Sequence, residues 1–220
     1  INISNGKIKI KSIKHYTIPE KNNNITSIKK CAKQLIDYYN LSFDKLTPCK
    51  NEIAPLLSGG IDSAVACWLA MKRGCPITPI YLNGKPYTDE TTTAKALDVA
   101  KKLFEWSIGF PRKVYVVPHG KNLENFVKEA PRKLTCILCK RMMYRIAERI
   151  AEIENAEGIV TGEAIGEQAS QTMHNLRVIN EVATRYPIHR PLLGFDKTET
   201  ENIARKSGTF EISTQRARSC

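Results

Sequence analysis

Histidine is scarce in this chain, four residues among 220, and they stand scattered at 15, 119, 174 and 189. Nothing in that spacing assembles the paired ligands of a zinc knuckle. No apolar run reaches the length of a membrane span, and no secretory pattern is visible at the beginning. The chain is therefore expected to have no membrane partner and to work in the cytoplasm. Acidic residues are in deficit, with 22 Asp and Glu against 34 Lys and Arg and a formal net charge of +12. A surface so basic points to a polyanionic partner such as RNA. The seven cysteines, at 31, 49, 67, 75, 136, 139 and 220, are odd in number and the chain is not small. A secreted disulfide framework is unsuited to that pattern, and most of the thiols are expected to be reduced apolar side chains. With 42% hydrophobic residues there is enough apolar material for one domain of ordinary size plus a short appendage.

What is present is concentrated in short strings, of which Ser58-Gly59-Gly60-Ile61-Asp62-Ser63 is the most informative. It follows the apolar run Ile53 to Leu57 and precedes the helical pattern Ala64 to Met71. At such a strand–turn–helix junction the first helix amides have no intrahelical partner, and the helix dipole adds partial positive charge. Gly59 and Gly60 let an anion approach the backbone, while Ser58 and Ser63 add hydroxyl donors. The turn suits a phosphate, but it lacks the Lys-Ser/Thr pair of a Walker loop. Instead it resembles the PP-loop of ATP pyrophosphatases, which split ATP into AMP and pyrophosphate while adenylating a substrate.

The first fifty residues differ from the rest. They hold ten lysines against three acidic residues and are read, to residue 52, as a short basic appendage or the tail of an upstream domain. Ile8, Ile10 and Ile13 suggest a short strand there, and apolar spacing predicts a helix over about 25–39. From residue 53 strand and helix patterns alternate. Strands are expected at 53–57, 77–82, 113–117, 158–161 and 188–192. Helices are expected at 62–72, 91–106, 121–129, 139–154, about 167–182, and 197–206. Such alternation implies an α/β fold, a parallel sheet covered by helices on both faces, with ligands at the carboxyl ends of its strands.

Three further strings fall at expected strand ends or helix starts: Thr161-Gly162-Glu163-Ala164 with Ser170-Gln171-Thr172, Arg190-Pro191-Leu192 with Asp196-Lys197, and Cys136-Ile137-Leu138-Cys139-Lys140-Arg141. Together with the glycine loop they resemble the catalytic domain of the ThiI family, the tRNA 4-thiouridine synthetases or tRNA sulfurtransferases, over about residues 56–220. The resemblance implies a PP-loop ATP pyrophosphatase architecture. It also implies adenylation of a uridine carbonyl, U8 of tRNA, followed by displacement of AMP by sulfur, and in some members delivery of sulfur to the thiazole of thiamine. Carried over, Leu56, Leu57, Tyr81 and Leu82 would line the nucleotide, and Lys140, Gly162 and Gln171 would contact it. Asp62 would hold Mg²⁺ against the pyrophosphate, and Lys197 would neutralise charge on the phosphates. Arg177 and Arg190 are candidates for RNA or phosphate backbone.

Cys220 stands where the family places a catalytic cysteine, twelve residues after Gly208. Members with a rhodanese domain use it against a persulfide, and no such domain is visible here. Cys136-x-x-Cys139 alone is ambiguous between a redox pair, half a zinc site and part of an iron–sulfur site. The resemblance to archaeal members without rhodanese implies a sulfur role, either as persulfide-carrying cysteines or as a [4Fe–4S] cluster on Cys136, Cys139 and Cys220 with one open iron. Lys140 and Arg141 beside Cys139 favour a nucleophile or a metal ligand. Expected partners are tRNA, a sulfur donor (sulfide, a persulfide or a cysteine desulfurase), an upstream THUMP domain or RNA-binding subunit, and a second copy as homodimer. Two other readings stay open: sulfur transfer to a small molecule, and a nucleotide-binding subunit without turnover.

Overall fold

A computed structural model describes residues 52–107, 110 and 112–217, with three short N-terminal strands described by their backbone. Those strands are β1 (Asn2–Ser4), β2 (Lys7–Lys9) and β3 (Lys14–Thr17). Of the expected N-terminal strand only Ile8 falls in one of them. Ile10, Ile13, the expected helix over 25–39, Cys31, Cys49 and Cys220 lie outside the described residues.

The central sheet is built from β4 (Ile53–Pro55), β5 (Ile80–Asn83), β6 (Lys113–Pro118), β7 (Gly158–Val160) and β8 (Ile188–His189). β6 runs parallel to β5, and β7 parallel to both β4 and β8. Parallel bridges Ile53–Ile77 and Leu56–Ile80 join the halves into one order, β3-β6-β5-β4-β7-β8. β3 pairs antiparallel with β6 at the edge, Lys14 opposite Val116. Strand order reverses between β4 and β7, so their carboxyl ends open into the crevice where such sheets bind ligands.

Side-chain alternation divides the core into two faces. Ala54, Leu56, Ile80, Tyr115, Val117 and Ile159 pack against α4 (Thr135–Glu154) and α5 (Met173–Asn180), with α3 (Gly120–Glu129) beside α4. On the other face Leu57, Ile77, Tyr81, Val114 and Val116 pack against α1 (Ile61–Lys72) and α2 (Glu90–Phe104). Ile53, Val160 and Leu192 meet α1 and α6 (Lys197–Ser207) on that same face. A short α7 (Phe210–Ser213), which the sequence reading lacks, closes against α2 and α6. The three-layer α/β architecture is the one expected.

Element ends differ for identifiable reasons. Pro55 has no amide to give the ladder, so β4 ends early, although Leu56 N still donates to Val160 O at 2.9 Å and Leu57 N to Ile80 O at 2.9 Å. Pro79 likewise delays β5 to Ile80. The helix expected over about 167–182 is half that length. Gly166 turns with φ +81, Ala169–Gln171 forms a single 3₁₀ turn, and Thr172 caps α5 by accepting from Asn175 N at 3.2 Å. α4 starts at Thr135, four residues before its expected start, and so carries both Cys136 and Cys139 on its first turn.

Candidate functional site

The glycine loop sits between β4 and α1 as expected, and its hydroxyls are already organised. Ser63 Oγ accepts from Ser58 N at 3.1 Å, lies 3.0 Å from Ser58 Oγ and donates to Gly60 O at 3.0 Å. Gly60 N donates to Ser58 Oγ at 3.2 Å. Gly60 is the N-cap of α1 and carries no capping side chain, which leaves the helix amides to a bound anion. Gly59 has φ +82, and a Cβ there would lie 3.1 Å from the backbone of Ala96.

A second loop closes on the first. Gly162 follows β7, and a Cβ on it would stand 2.6 Å from both Asp62 C and Ser63 N. Backbone atoms cannot rotate away, so only glycine lets the β7 loop lie against the first turn of α1. Gly162→Ala is expected to cost about 1–3 kcal/mol of stability and to diminish stabilisation by added ATP. Thermal unfolding with and without ATP checks this. An ATP-induced shift equal to that of the wild type would contradict it.

Lys197 is the first residue of α6, where a cation opposes the helix dipole. It is held there by Asp62 of the glycine loop, Nζ to Oδ1 2.7 Å, with Glu167 Oε2 at 3.7 Å. Partial burial works against its charge, but the hydrogen bond to Asp62 and the charges of Asp62, Glu167 and Glu201 prevail and raise its pKa. The capping box between Asp196 and Glu199 fixes that end of the helix. Asp62 and Lys197, 135 residues apart, thus share one point at the mouth of the crevice.

Glu163 is the organising residue that sequence reasoning left without a role. It is buried, and its Oε1 accepts from Lys140 Nζ at 2.9 Å. Its Oε2 accepts from Arg190 Nε at 2.8 Å, Thr161 Oγ1 at 3.2 Å and the Tyr144 hydroxyl. Arg190 also reaches Tyr144 OH at 3.1 Å and Asn180 Oδ1 at 3.2 Å. Burial alone would raise the Glu163 pKa, but the Lys140 charge and the bonds from Tyr144, Lys140 and Arg190 outweigh it and lower the value. Burial and the adjacent Glu163 charge push Tyr144 the other way, keeping its phenol protonated. A signal for Glu163 did exist: a carboxylate next to a glycine at the end of a buried strand.

The remaining expected residues divide into several groups. Leu56, Leu57 and Tyr81 are buried, Leu82 partly so, and Tyr81 OH lies 3.3 Å from Thr93 Oγ1 on α2. Gln171 is buried with its Oε1 unpartnered, an acceptor that an amino group of a ligand would satisfy. Arg177 is exposed on α5. With Arg190, Met173, Leu176 and Leu193 it lines an open cavity of about 390 Å³. Cys136 is exposed and Cys139 half-buried on one turn of α4. Cys67 is buried, which pushes its thiol up to about 12, in keeping with a core side chain. His119 is buried beside Cys139, and burial brings its pKa down to about 4. Among the described residues no group of three or more His, Cys, Asp or Glu could hold a metal ion. Cys136 and Cys139 supply two of the three expected thiols, i and i+3 on one helical turn, a spacing that suits shared ligation.

One path of contacts therefore links the cysteine turn to the glycine loop: Cys139 precedes Lys140, Lys140 binds Glu163, Glu163 follows Gly162, and Gly162 lies on Asp62, which holds Lys197.

The chain is similar to several known proteins. The family model described as "Thiamine biosynthesis protein (ThiI)" matches residues 49–220. A "Probable tRNA sulfurtransferase" of Methanosarcina mazei is 46% identical over 172 residues, 78% of this chain and 42% of that protein. One from Oceanobacillus iheyensis is 43% identical over 165 residues, 75% of this chain and 40% of its own. The chain thus spans about two fifths of the length of these relatives. Among solved structures, that of a 4-thiouridine synthetase–RNA complex with bound ATP is similar at 44% identity and TM-score 0.74. It covers 77% of this chain and 44% of that one. NMN synthetase from Francisella tularensis, at 19% identity and TM-score 0.55 over 85% of this chain and 74% of its own, shares the fold.

Proposed function

We infer, from the premise that this chain belongs to the ThiI family, that it is the ATP-using part of a tRNA sulfurtransferase. The observation that carries the reading is the meeting of the Ser58–Ser63 loop, Asp62, Lys197 and Gly162 at the carboxyl ends of β4 and β7. The likeness to relatives named tRNA sulfurtransferase and to an ATP-bound synthetase–RNA complex supports it.

In this reading ATP lies with its phosphates on the loop and α1 amides, while Gln171 Oε1 accepts from its adenine amino group. The uridine O4, at position 8 of tRNA, bonds to the α-phosphorus as the bond to the β-phosphate breaks and pyrophosphate departs. Lys197 stabilises the charge on the leaving phosphates, and Asp62 would hold a Mg²⁺ that supplies further neutralisation. A carbonyl oxygen leaves poorly, whereas AMP leaves well, so sulfur can then take its place. Cys136 and Cys139, with Cys220, direct that sulfur. A [4Fe–4S] cluster on those three thiols would supply an open iron that carries sulfide. The +12 charge supports binding of tRNA phosphates, either by this domain alone or with a THUMP domain, a partner subunit or a second copy. No helix among the described residues is long and apolar enough to cross a membrane, and the cytoplasm is the compartment proposed.

The test is an anaerobic reaction of the chain with ATP, Mg²⁺, sulfide and unmodified tRNA, read by nucleoside mass spectrometry and pyrophosphate release. ATP-dependent 4-thiouridine is the expected product. Pyrophosphate released without a thiolated nucleoside would keep the adenylating site and move the substrate away from tRNA or point to a missing RNA-binding domain, and absence of pyrophosphate would overturn the adenylation itself. Cys136→Ala and Cys139→Ala are each expected to abolish thiolation yet leave ATP binding intact. Loss of ATP binding would make the cysteines structural.

A further inference from the structure

The two cysteines of the α4 turn are not equivalent, and the difference comes from β6. That strand ends at Pro118, and His119 follows as the N-cap of α3. Its backbone is fixed on both sides: N donates to Asn83 O at 2.7 Å, and its carbonyl accepts from Asn122 N at 3.0 Å and Leu123 N at 3.2 Å. The residue is 3% exposed, and its ring makes two polar contacts. Nδ1 lies 3.1 Å from Asn122 Nδ2, and Nε2 lies 3.3 Å from Cys139 Sγ.

As the Asn122 amide is oriented, its nitrogen faces Nδ1 and can only donate, which assigns Nδ1 as the unprotonated ring nitrogen. The ring proton then sits on Nε2 and points at sulfur. Cys139 Sγ also lies 4.0 Å from Met143 Sδ, one turn further along α4, which keeps the sulfur on that side of the helix. Cys136, three residues before, is exposed and takes no comparable partner among the described residues.

We propose that His119, oriented by Asn122, is a positioning residue for the sulfur chemistry. Its Nε2–H holds the Cys139 sulfur as a hydrogen-bond acceptor in a fixed place, and Cys136 is the solvent-facing member of the pair. The role rests on the sulfur-transfer reading of the Cys-x-x-Cys turn and adds to it a division of labour. An N–H donor aimed at sulfur suits a thiolate, a persulfide or a cluster-bound thiolate alike, because each carries negative charge on the sulfur side. An orienting partner on the far ring nitrogen is how proteins choose which imidazole nitrogen is protonated. Position in the fold gives the arrangement its use. Lys140, next to Cys139, is tied to Glu163 at 2.9 Å, so a fixed Cys139 is fixed relative to the crevice.

The experiment begins with long-range ¹⁵N–¹H correlation of the His119 ring in the reduced 220-residue chain. The expected result is the Nε2–H tautomer, with a resonance that moves in Cys139→Ala and stays in place in Cys136→Ala. An Nδ1–H tautomer, or a resonance indifferent to Cys139, overturns the proposal whatever reaction the protein performs. The second arm compares His119→Phe, which fills the space without a donor, with His119→Gln, whose amide nitrogen can reach the Nε2 position. The phenylalanine variant is expected to lose about 10–100-fold in the rate of nucleoside thiolation, with first-turnover pyrophosphate release unchanged and glutamine restoring most of the loss. Equal losses in thiolation and in first-turnover pyrophosphate release, or no recovery with glutamine, would make His119 a structural residue. If the wild-type chain thiolates nothing, the functional reading has failed, and the tautomer still decides the hydrogen bond.

Discussion

Lys197→Ala is expected to lower ATP-dependent AMP formation by about 10²–10³-fold, the range for losing one preorganised charge that faces a developing oxyanion. Nothing in stability explains this lysine. It is nearly half exposed, and exposed ion pairs contribute about 0–1 kcal/mol. It also stands at a helix N-terminus, where its charge opposes the dipole. The variant should therefore melt within a few degrees of the wild type while its turnover collapses. Asp62, 2.7 Å away, holds the ammonium until phosphates take over part of that task. Pyrophosphate release measured at saturating ATP and tRNA separates the cases. A variant that keeps activity within about threefold would reduce the Asp62–Lys197 contact to an ordinary surface pair.

Glu163→Ala is expected to act in the opposite manner, chiefly on the fold. The residue neutralises Lys140 and Arg190 inside the protein and accepts from Tyr144 and Thr161. Removing one partner of a buried ion pair leaves charges unpaired and costs about 3–5 kcal/mol. For a domain of this size that is a fall in Tm of roughly 6–20 °C. The pH dependence has a definite sign. The unfolded carboxyl titrates near its ordinary 4.5 and the folded one lower, so the stabilisation is complete above about pH 4.5. It is lost as pH falls through the folded value. Calorimetry should find a constant Tm gap between wild type and Glu163→Gln from pH 7 to 5, narrowing below 4.5. A gap that persists to pH 3 would remove Glu163 from the charged centre of the network. Because Lys140 and Arg190 depend on it, activity should decline along with stability, in contrast to Lys197→Ala.

The pattern of strands and helices was legible because buried parallel strands are short apolar runs and their covering helices carry an apolar stripe. Element ends were less so. Whether Glu167 to Thr172 continued a helix or turned first depended on Gly166 and the Thr172 cap, two local choices that helical periodicity does not register. The Ser58–Ser63 loop was legible because consecutive residues make it: a strand, two glycines, two serines and a helix start. Lys197 and Gly162 were picked out by resemblance, but their purpose was not readable from neighbours in sequence.

Sequence alone determined the local pieces, namely the phosphate-suited turn, the Cys136-x-x-Cys139 string, the excess of basic charge and the alternating pattern that folds into a parallel sheet. Each of these is set by interactions across a few residues. Only the tertiary structure decided which pieces meet: Gly162 on Asp62, Lys197 on the same carboxylate, Glu163 between Lys140 and Arg190, and His119 against Cys139 but not Cys136. The reversal of strand order between β4 and β7 brings their loops together, and packing of α4 against β6 and α3 brings the histidine to the sulfur. Such juxtapositions arise from long-range packing, where residues 20 to 135 positions apart become neighbours. No periodicity along the chain encodes them.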